Sequence, residues 1–189
     1  VEVKNLINEI NPIKDVLALF EIKKIIKKIS PDVVHTHNSK AGVLGRFAAW
    51  LSNVQLIIHT VHAMPFTNAS FFKKIFYLII EKFVSPITDK FINVGKGTME
   101  TYLKYRIGHI SKHHVIYSAF DVDKFRNAKP LALNDLGIDI NLNNNPKVIV
   151  VLGRFDETKR HKDLIETFDK ILHNFPNTIL ILAGDGKLL

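Results

Sequence analysis

The stretch PDVVHTHNSKAGVLGRFAA (31–49) decides the fold. Pro31 ends whatever helix precedes it, because proline cannot continue the backbone hydrogen-bond ladder. DVVHTH follows as a short, β-branched segment of the kind that fills a buried strand. The polar tip Asn38-Ser39-Lys40 then opens into a run of small and apolar residues that reads as a helix. A strand that runs through a polar tip into a helix is half of a β–α–β unit, and the flanking sequence shows whether the unit repeats.

Before it, Val16, Leu19, Phe20, Ile22, Ile26 and Ile29 recur at helical spacing with lysines between them. Asp15 at the start and Lys27 and Lys28 at the end of that helix suit its dipole. After it, the alternation continues. SKAGVLGRFAAWLSN (39–53) is a helix, QLIIHTVH (55–62) a strand and SFFKKIFYLIIEKFVS (70–85) a long apolar helix. KFINVG (90–95) is a strand, KGTMETYLKYRIG (96–108) a helix and HHVIYS (113–118) a strand. Nearly all-apolar strands separated by helices indicate a parallel sheet covered on both faces.

The stretch 127–146, which contains NLNNNP, has few large side chains and many turn formers, and reads as a linker. KVIVVLGR then starts a new strand, HKDLIETFDKILHNF (161–175) a helix and TILILAG (178–184) another strand. The expected organisation is an α/β domain over 1–126, a linker over 127–146 and the start of a second α/β domain over 147–189. Ligands of such sheets bind beyond the carboxyl ends of the strands, so the tips after His37, His62, Gly95, Ser118, Gly153 and Gly184 are the candidate site.

The 189 residues suffice for one domain or two small ones, and 47% hydrophobic with 23% charged residues reads as globular. With no cysteine, disulfides, zinc–thiolate sites and cysteine nucleophiles are excluded. No apolar run approaches the roughly 20 residues that span a bilayer, and the start shows no signal-peptide pattern. A net charge of +8 favours anionic partners: nucleic acid, a phosphorylated substrate or an acidic membrane.

Several constellations carry chemistry. His35 and His37 point to one strand face, an arrangement that can chelate a metal, but the further ligands such a site needs are not evident beyond His59 and His62. The alternatives are loop-bonding histidines or a polar substrate contact. Asn38, Ser39 and Lys40 stand at a helix start that attracts anions, and Asn38 or Ser39 equally serves as an ordinary N-cap. GKGT (95–98) fails as a phosphate-binding P-loop, with Lys90 in the place of the first glycine and Gly97 in that of the hydroxyl residue. No G-x-G-x-x-G occurs, which weakens a nicotinamide-dependent dehydrogenase. In GRFDETKRHKDL (153–164), Arg154 sits just past a strand and Lys159 at the turn into a helix; two permanent cations there can embrace a diphosphate.

Taken together, these segments resemble glycosyltransferase family 4, retaining nucleotide-sugar transferases of the GT-B type with two Rossmann-like domains. The resemblance runs through PDVVHTHNSKAGVLGRFAA (31–49), IIHTVHAMPF (57–66), INVGKGTMETYLKYRI (92–107), VIYSAFDVDKF (115–125), VVLGRFDETKRHKDLIETF (150–168) and LAGDG (182–186). It implies that 1–126 is the acceptor-side domain and that 147–189 begins the nucleotide-sugar-binding domain. Gly153, Arg154 and Lys159 match the loop that binds the nucleotide diphosphate. His62 matches a histidine facing the donor sugar and the reaction centre, and Asn38, Ser39 and Lys40 match a cleft loop on the acceptor side. The family needs no metal and no cofactor.

The sequence departs from the family in three places. The family's first strand and glycine-rich loop would precede Val1, its E-x7-E glutamates would follow Leu189, and Ala63 and Ala119 stand where many relatives have glycine. The expectation is an internal piece of an enzyme roughly twice as long, inactive by itself. HTHNSKAG followed by HTVHAMPF looks most like bacterial transferases that use UDP-sugars on lipid-linked or glycan acceptors in cell-surface polysaccharide synthesis. Such enzymes work in the cytoplasm at the inner membrane face. Phe71, Phe72, Phe76, Ile79, Ile80 and Phe83, flanked by Lys73, Lys74 and Lys82, give a basic amphipathic helix suited to an anionic membrane, or else a buried helix with a lysine edge. Three rival readings stay open. A non-catalytic nucleotide-sugar-fold protein would lack the distant glutamates, and a metal-dependent hydrolase would use the histidines. A nucleic-acid module would use the charge, but no recognition motif for one is present, and no nucleic-acid partner is expected.

Overall fold

Asn11 sets where the chain first becomes helical. Its Oδ1 accepts the Lys14 N–H at 3.1 Å, and the Asp15 carboxylate accepts the Asn11 N–H at 3.2 Å. With Pro12 in the first turn, where an N–H would lack a partner anyway, α1 (Pro12–Ile29) starts at Pro12 rather than Asp15. Ser30, at φ 49°, closes it. The computed structural model describes residues 1–7, 9–67, 69–129 and 146–189, which form two compact units, Val1–Asp121 and Val122–Leu189. Of the linker expected over 127–146, residues 130–145 lie outside the described residues.

In the first unit, β1 (Val33–His37), β2 (Leu56–Val61), β3 (Lys90–Asn93) and β4 (His113–Val115) form a parallel sheet in the order β1-β2-β3-β4. The connections are α2 (Ser39–Trp50), α3 (Phe71–Val84) and α4 (Lys96–Lys104). The last helix and strand are shorter than their apolar patterns. Arg106 and Gly108, both at positive φ, turn the chain after α4, and past the Ile116 N–H, which bonds the Asn93 carbonyl at 2.9 Å, the chain leaves the sheet.

The register places Val34, Thr36, Ile57, His59, Val61, Phe91, Asn93 and His113 on one face. All four helices pack on that face. Ile26 of α1 and Ala48 and Ala49 of α2 surround Ile57, while Leu78 of α3 and Tyr102 of α4 join Val61 and Phe91. Among the described residues the sheet is therefore covered on one face, not on both as the apolar strands suggest. Right-handed crossovers that each step to the next strand in the same direction put their helices on the same side. Val33, on the opposite face, is 47% exposed.

Two glycines let α2 lie close to the strands. A Cβ on Gly42 would stand 2.5 Å from the His59 ring, and one on Gly45 would stand 2.8 Å from the Thr36 methyl. Spaced one turn apart, they turn a backbone face of α2 toward the sheet.

The second unit holds α5 (Val122–Arg126), β5 (Lys147–Leu152), α6 (His161–Asn174) and β6 (Thr178–Ala183). Strands β5 and β6 pair in parallel from Lys147↔Thr178 to Leu152↔Ala183. A parallel pair needs a crossover, and α6 supplies it. Phe155 stacks on His161, with ring centroids 4.5 Å apart, and seats the start of α6 on the loop after β5.

Candidate functional site

The carboxyl tips of the first sheet gather histidines. His35 and His37 lie on the helix-free face of β1, and His62 follows the end of β2. His37 Nδ1 and His62 Nε2 are 2.9 Å apart, and the two rings stack at 5.2 Å. His35 sits 4.4 Å from the His37 ring, with its Nε2 2.7 Å from the Thr60 hydroxyl. A nitrogen-to-nitrogen bond carries one proton, so one ring donates and the other accepts, and the tautomer of each fixes that of its partner. Burial, then the neighbouring His37 and His62, hold His35 below its ordinary pKa. These nitrogens are spent on one another and on Thr60. Among the described residues no group of three or more His, Asp or Glu side chains is arranged to hold a metal ion.

His59, on the other face, is a core residue. Its Nδ1 meets the Thr36 hydroxyl at 2.9 Å, its ring presses on Gly42, and burial, then the Arg46 charge, pushes its pKa down to about 2.

Asn38, Ser39 and Lys40 occupy the turn from β1 into α2. Asn38 stands at φ 63° and ψ 168°, a region that side chains other than glycine seldom adopt, and its side chain makes no cap hydrogen bond. The capping role open to Asn38 from sequence is thus not the one it performs. Lys40 reaches back to α1, where its ammonium pairs with Asp15 and donates to the Glu9 carbonyl. Nothing in the sequence joins residues so far apart, and Asp15 was legible only as a helix-start carboxylate.

The three residues also form the rim of a cavity of about 560 Å³ between α2, α3 and the segment before α1. Asp15 and Glu81 line it as well, but the rest is mostly apolar. Glu81 is already paired with the buried Arg46, whose Nη2 lies 3.0 Å from both of its carboxylate oxygens.

In the second unit Gly153, Arg154 and Lys159 fall on one loop past β5. Gly153 pairs its N–H with the Ala183 carbonyl at 3.0 Å, and a Cβ on Gly184 would fall 1.9 Å from the Gly153 carbonyl oxygen, so the β6 tip packs directly under this loop. Arg154 and Lys159 are exposed. Arg154 Nε lies 2.6 Å from Asp156, whose other carboxylate oxygen holds the Thr158 N–H and hydroxyl. Those bonds, Thr158 first and then Arg154, hold the Asp156 carboxyl down to about 2. Lys159 closes the short helical turn Glu157–Lys159 that this arrangement caps. Sequence reasoning missed Asp156; a carboxylate four residues past a strand reads only as a turn former.

Such a loop offers two exposed cations to an anion, one of them paired with Asp156, while the first unit offers a coupled histidine pair and a polar-rimmed apolar cavity. Comparison with known proteins gives these features a context. The family model described as Glycosyltransferase Family 4 matches residues 2–124, and that described as Glycosyl transferases group 1 matches residues 138–189. A UDP-Gal:alpha-D-GlcNAc-diphosphoundecaprenol alpha-1,3-galactosyltransferase of Escherichia coli is 32% identical over 191 residues, covering 99% of this chain and 49% of that protein. The capsular polysaccharide biosynthesis glycosyltransferase CapM of Staphylococcus aureus is 25% identical, covering 97% of this chain and 51% of that protein. The chain thus spans about half the length of the curated relatives it matches. A crystal structure of S. aureus TarM in complex with UDP superposes with a TM-score of 0.61 at 14% identity, over 90% of this chain and 32% of that one. At that identity the likeness shows the fold alone: the parallel α/β architecture of GT-B proteins.

Proposed function

Because the chain belongs to glycosyltransferase family 4, we propose that the full-length protein transfers a sugar, with retention, from a UDP-sugar to a lipid-linked or glycan acceptor in cell-surface polysaccharide synthesis. The 32% identity that spans 99% of the chain, to a galactosyltransferase named for a diphosphoundecaprenol-linked sugar acceptor, carries this reading. In it, residues 1–126 are the acceptor-side domain and 147–189 the start of the nucleotide-sugar-binding domain.

The chemistry suits the residues. Breaking the sugar–phosphate bond leaves negative charge on the departing diphosphate while the sugar becomes oxocarbenium-like. Arg154 binds that diphosphate through its planar fork and Lys159 as a point charge, and Gly153 keeps the backbone low beside them. Losing one fixed donor of this kind typically costs about 3–4 kcal/mol of barrier. His62 hydrogen-bonds the donor sugar, its tautomer set by His37. Asn38, Ser39 and Lys40 serve the acceptor.

Helix α3 supports a setting at a membrane surface. Phe72, Ile79 and Phe83 are 82%, 61% and 68% exposed, at a spacing that puts them on one helix face, with Lys73 and Lys82 at its borders. Among the described residues no helix is long and apolar enough to cross a membrane. We assign this face to peripheral contact with an anionic bilayer on its cytoplasmic side.

Calorimetry of UDP binding to the full-length protein tests the donor assignment. Binding without added metal, weakened about tenfold or more in Arg154→Ala and in Lys159→Ala, is expected, since a charge-assisted hydrogen bond is worth about 1.5–3 kcal/mol. Binding that neither substitution changes would remove the diphosphate from this loop.

A further inference from the structure

The cavity between α2 and α3 has a wall chemistry that does not suit a sugar. Sugar recognition needs hydrogen-bonding groups around the ligand, whereas Val43 and Leu44 of α2, Phe76 and Ile80 of α3, and Ile10 supply only hydrocarbon. Its charged lining is Asp15, Lys40 and Glu81, and Glu81 is already neutralised by the buried Arg46. Two of the three Lys40 ammonium N–H groups are engaged by Asp15 and the Glu9 carbonyl, which fix the charge at the rim and leave one donor for an incoming anion. Phe76 belongs to two surfaces at once. It lines the cavity, and at 44% exposed it also lies on the outer apolar face of α3 with Phe72, Ile79 and Phe83. The apolar lining is therefore continuous with the face assigned above to the membrane. About 560 Å³ falls within the roughly 300–1,000 Å³ of ligand-binding pockets.

From this juxtaposition we propose that the α2–α3 cavity binds the diphosphate-proximal isoprenoid units of a prenyl-diphosphate-linked acceptor, with Lys40 at the rim taking a phosphate oxygen. The proposal rests on the lipid-linked acceptor reading above and deepens it. A branched hydrocarbon with an anionic end matches walls that are mostly apolar and that hold the Lys40 ammonium, beside Asp15, at the rim. Burial supplies the affinity, at about 25 cal/mol per Å² of apolar surface removed from water. The same chain reaches the site along Phe76 without leaving an apolar surface.

Two readouts on the full-length protein test it. A farnesyl diphosphate analogue with a diazirine on its chain is expected to label peptides that contain Val43 or Leu44 and Phe76 or Ile80. Farnesyl diphosphate should compete the label away, and inorganic pyrophosphate should not. Label absent from both helices, or displaced equally well by pyrophosphate, overturns the proposal. In turnover, sugar-diphosphate acceptors that bear a farnesyl or a methyl group are compared on the same enzyme. The farnesyl acceptor should show a kcat/KM at least tenfold higher, and Val43→Trp should shrink that ratio toward one. Because the ratio is taken within each protein, partial loss of folded material cancels. Equal kcat/KM values for the two acceptors in the unsubstituted enzyme would overturn the chain site. If neither acceptor turned over while α2 and α3 were still labelled, the chain site would hold and the acceptor reading would fall.

Discussion

Arg154 carries its own counter-ion. The Asp156 carboxylate faces its Nε at 2.6 Å and also fastens the Thr158 end of the turn. With the carboxyl held down to about 2, chiefly by Thr158, that negative charge persists at any pH where an enzyme would be assayed. A bound diphosphate therefore competes with Asp156 for Arg154. Two effects oppose each other when Asp156 is changed: the turn loses its cap, and the arginine loses its competitor. Asp156→Asn separates them, because the amide oxygen can still accept from Thr158 while the charge is gone. Exposed ion pairs are worth about 0.2–1 kcal/mol, so UDP affinity should rise by about two- to fivefold, read by the same calorimetry. A loss of affinity would mean that the carboxylate's hold on the loop outweighs its competition. The placement of Arg154 and Lys159 past a strand was legible from the apolar run that ends at Leu152. The role of Asp156 was not, because a pairing two residues apart depends on the turn's geometry and not on any spacing rule.

Helices α2 and α3 are joined by a buried charge pair. Arg46 is fully buried, yet its Nε bonds the Gly42 carbonyl at 3.0 Å, its Nη1 the Thr88 hydroxyl at 3.3 Å and its Nη2 the Glu81 carboxylate. Taking both charges out of water costs most of what their attraction returns, so such a pair contributes little net stability but is expensive to break. Arg46→Met or Glu81→Met alone should cost about 3–5 kcal/mol in urea unfolding, because each strands the other charge. The double substitution should recover most of that loss. A double variant as unstable as the sum of the singles would mean that the two side chains are not coupled and hold this joint through their other contacts. The alternation of strands and helices was legible because apolar periodicity is local. Arg46 looked in sequence like one charge on a small-residue helix, since its partner lies on another element. The one-sided packing of the helices was equally out of reach, because it depends on strand order, which periodicity does not encode. Gly42 and Gly45 are a similar case: their spacing is visible, but the His59 and Thr36 side chains they accommodate come from other elements.

At the scale of the whole molecule, the first unit places neutral histidines where a proton is unwelcome. Burial, then the Arg46 charge and those of His37, His35 and His62, lowers His59 to about 2. Burial also lowers His113, which stacks on Phe91 at 4.7 Å, and His35 moves the same way. In the unfolded chain each returns to its ordinary value near 6.5. Below that pH the unfolded state binds protons that the folded state refuses, so stability falls as pH falls. For His59 the window runs from about 6.5 down to about 2, and within it the loss approaches 1.4 kcal/mol per pH unit. His35 and His113 add to the loss with the same sign. Against a typical total of about 5–15 kcal/mol, a drop from pH 7 to pH 5 should lower the urea midpoint visibly. His59→Asn keeps a polar contact for Thr36 and removes the proton site, so its pH slope between 6.5 and 5 should be shallower by about 1.4 kcal/mol per unit. An unchanged slope would place the acid sensitivity elsewhere in the molecule. A shallower slope would make the close seating of α2 on the sheet, with the His59 ring against Gly42, the structural reason this unit needs near-neutral conditions.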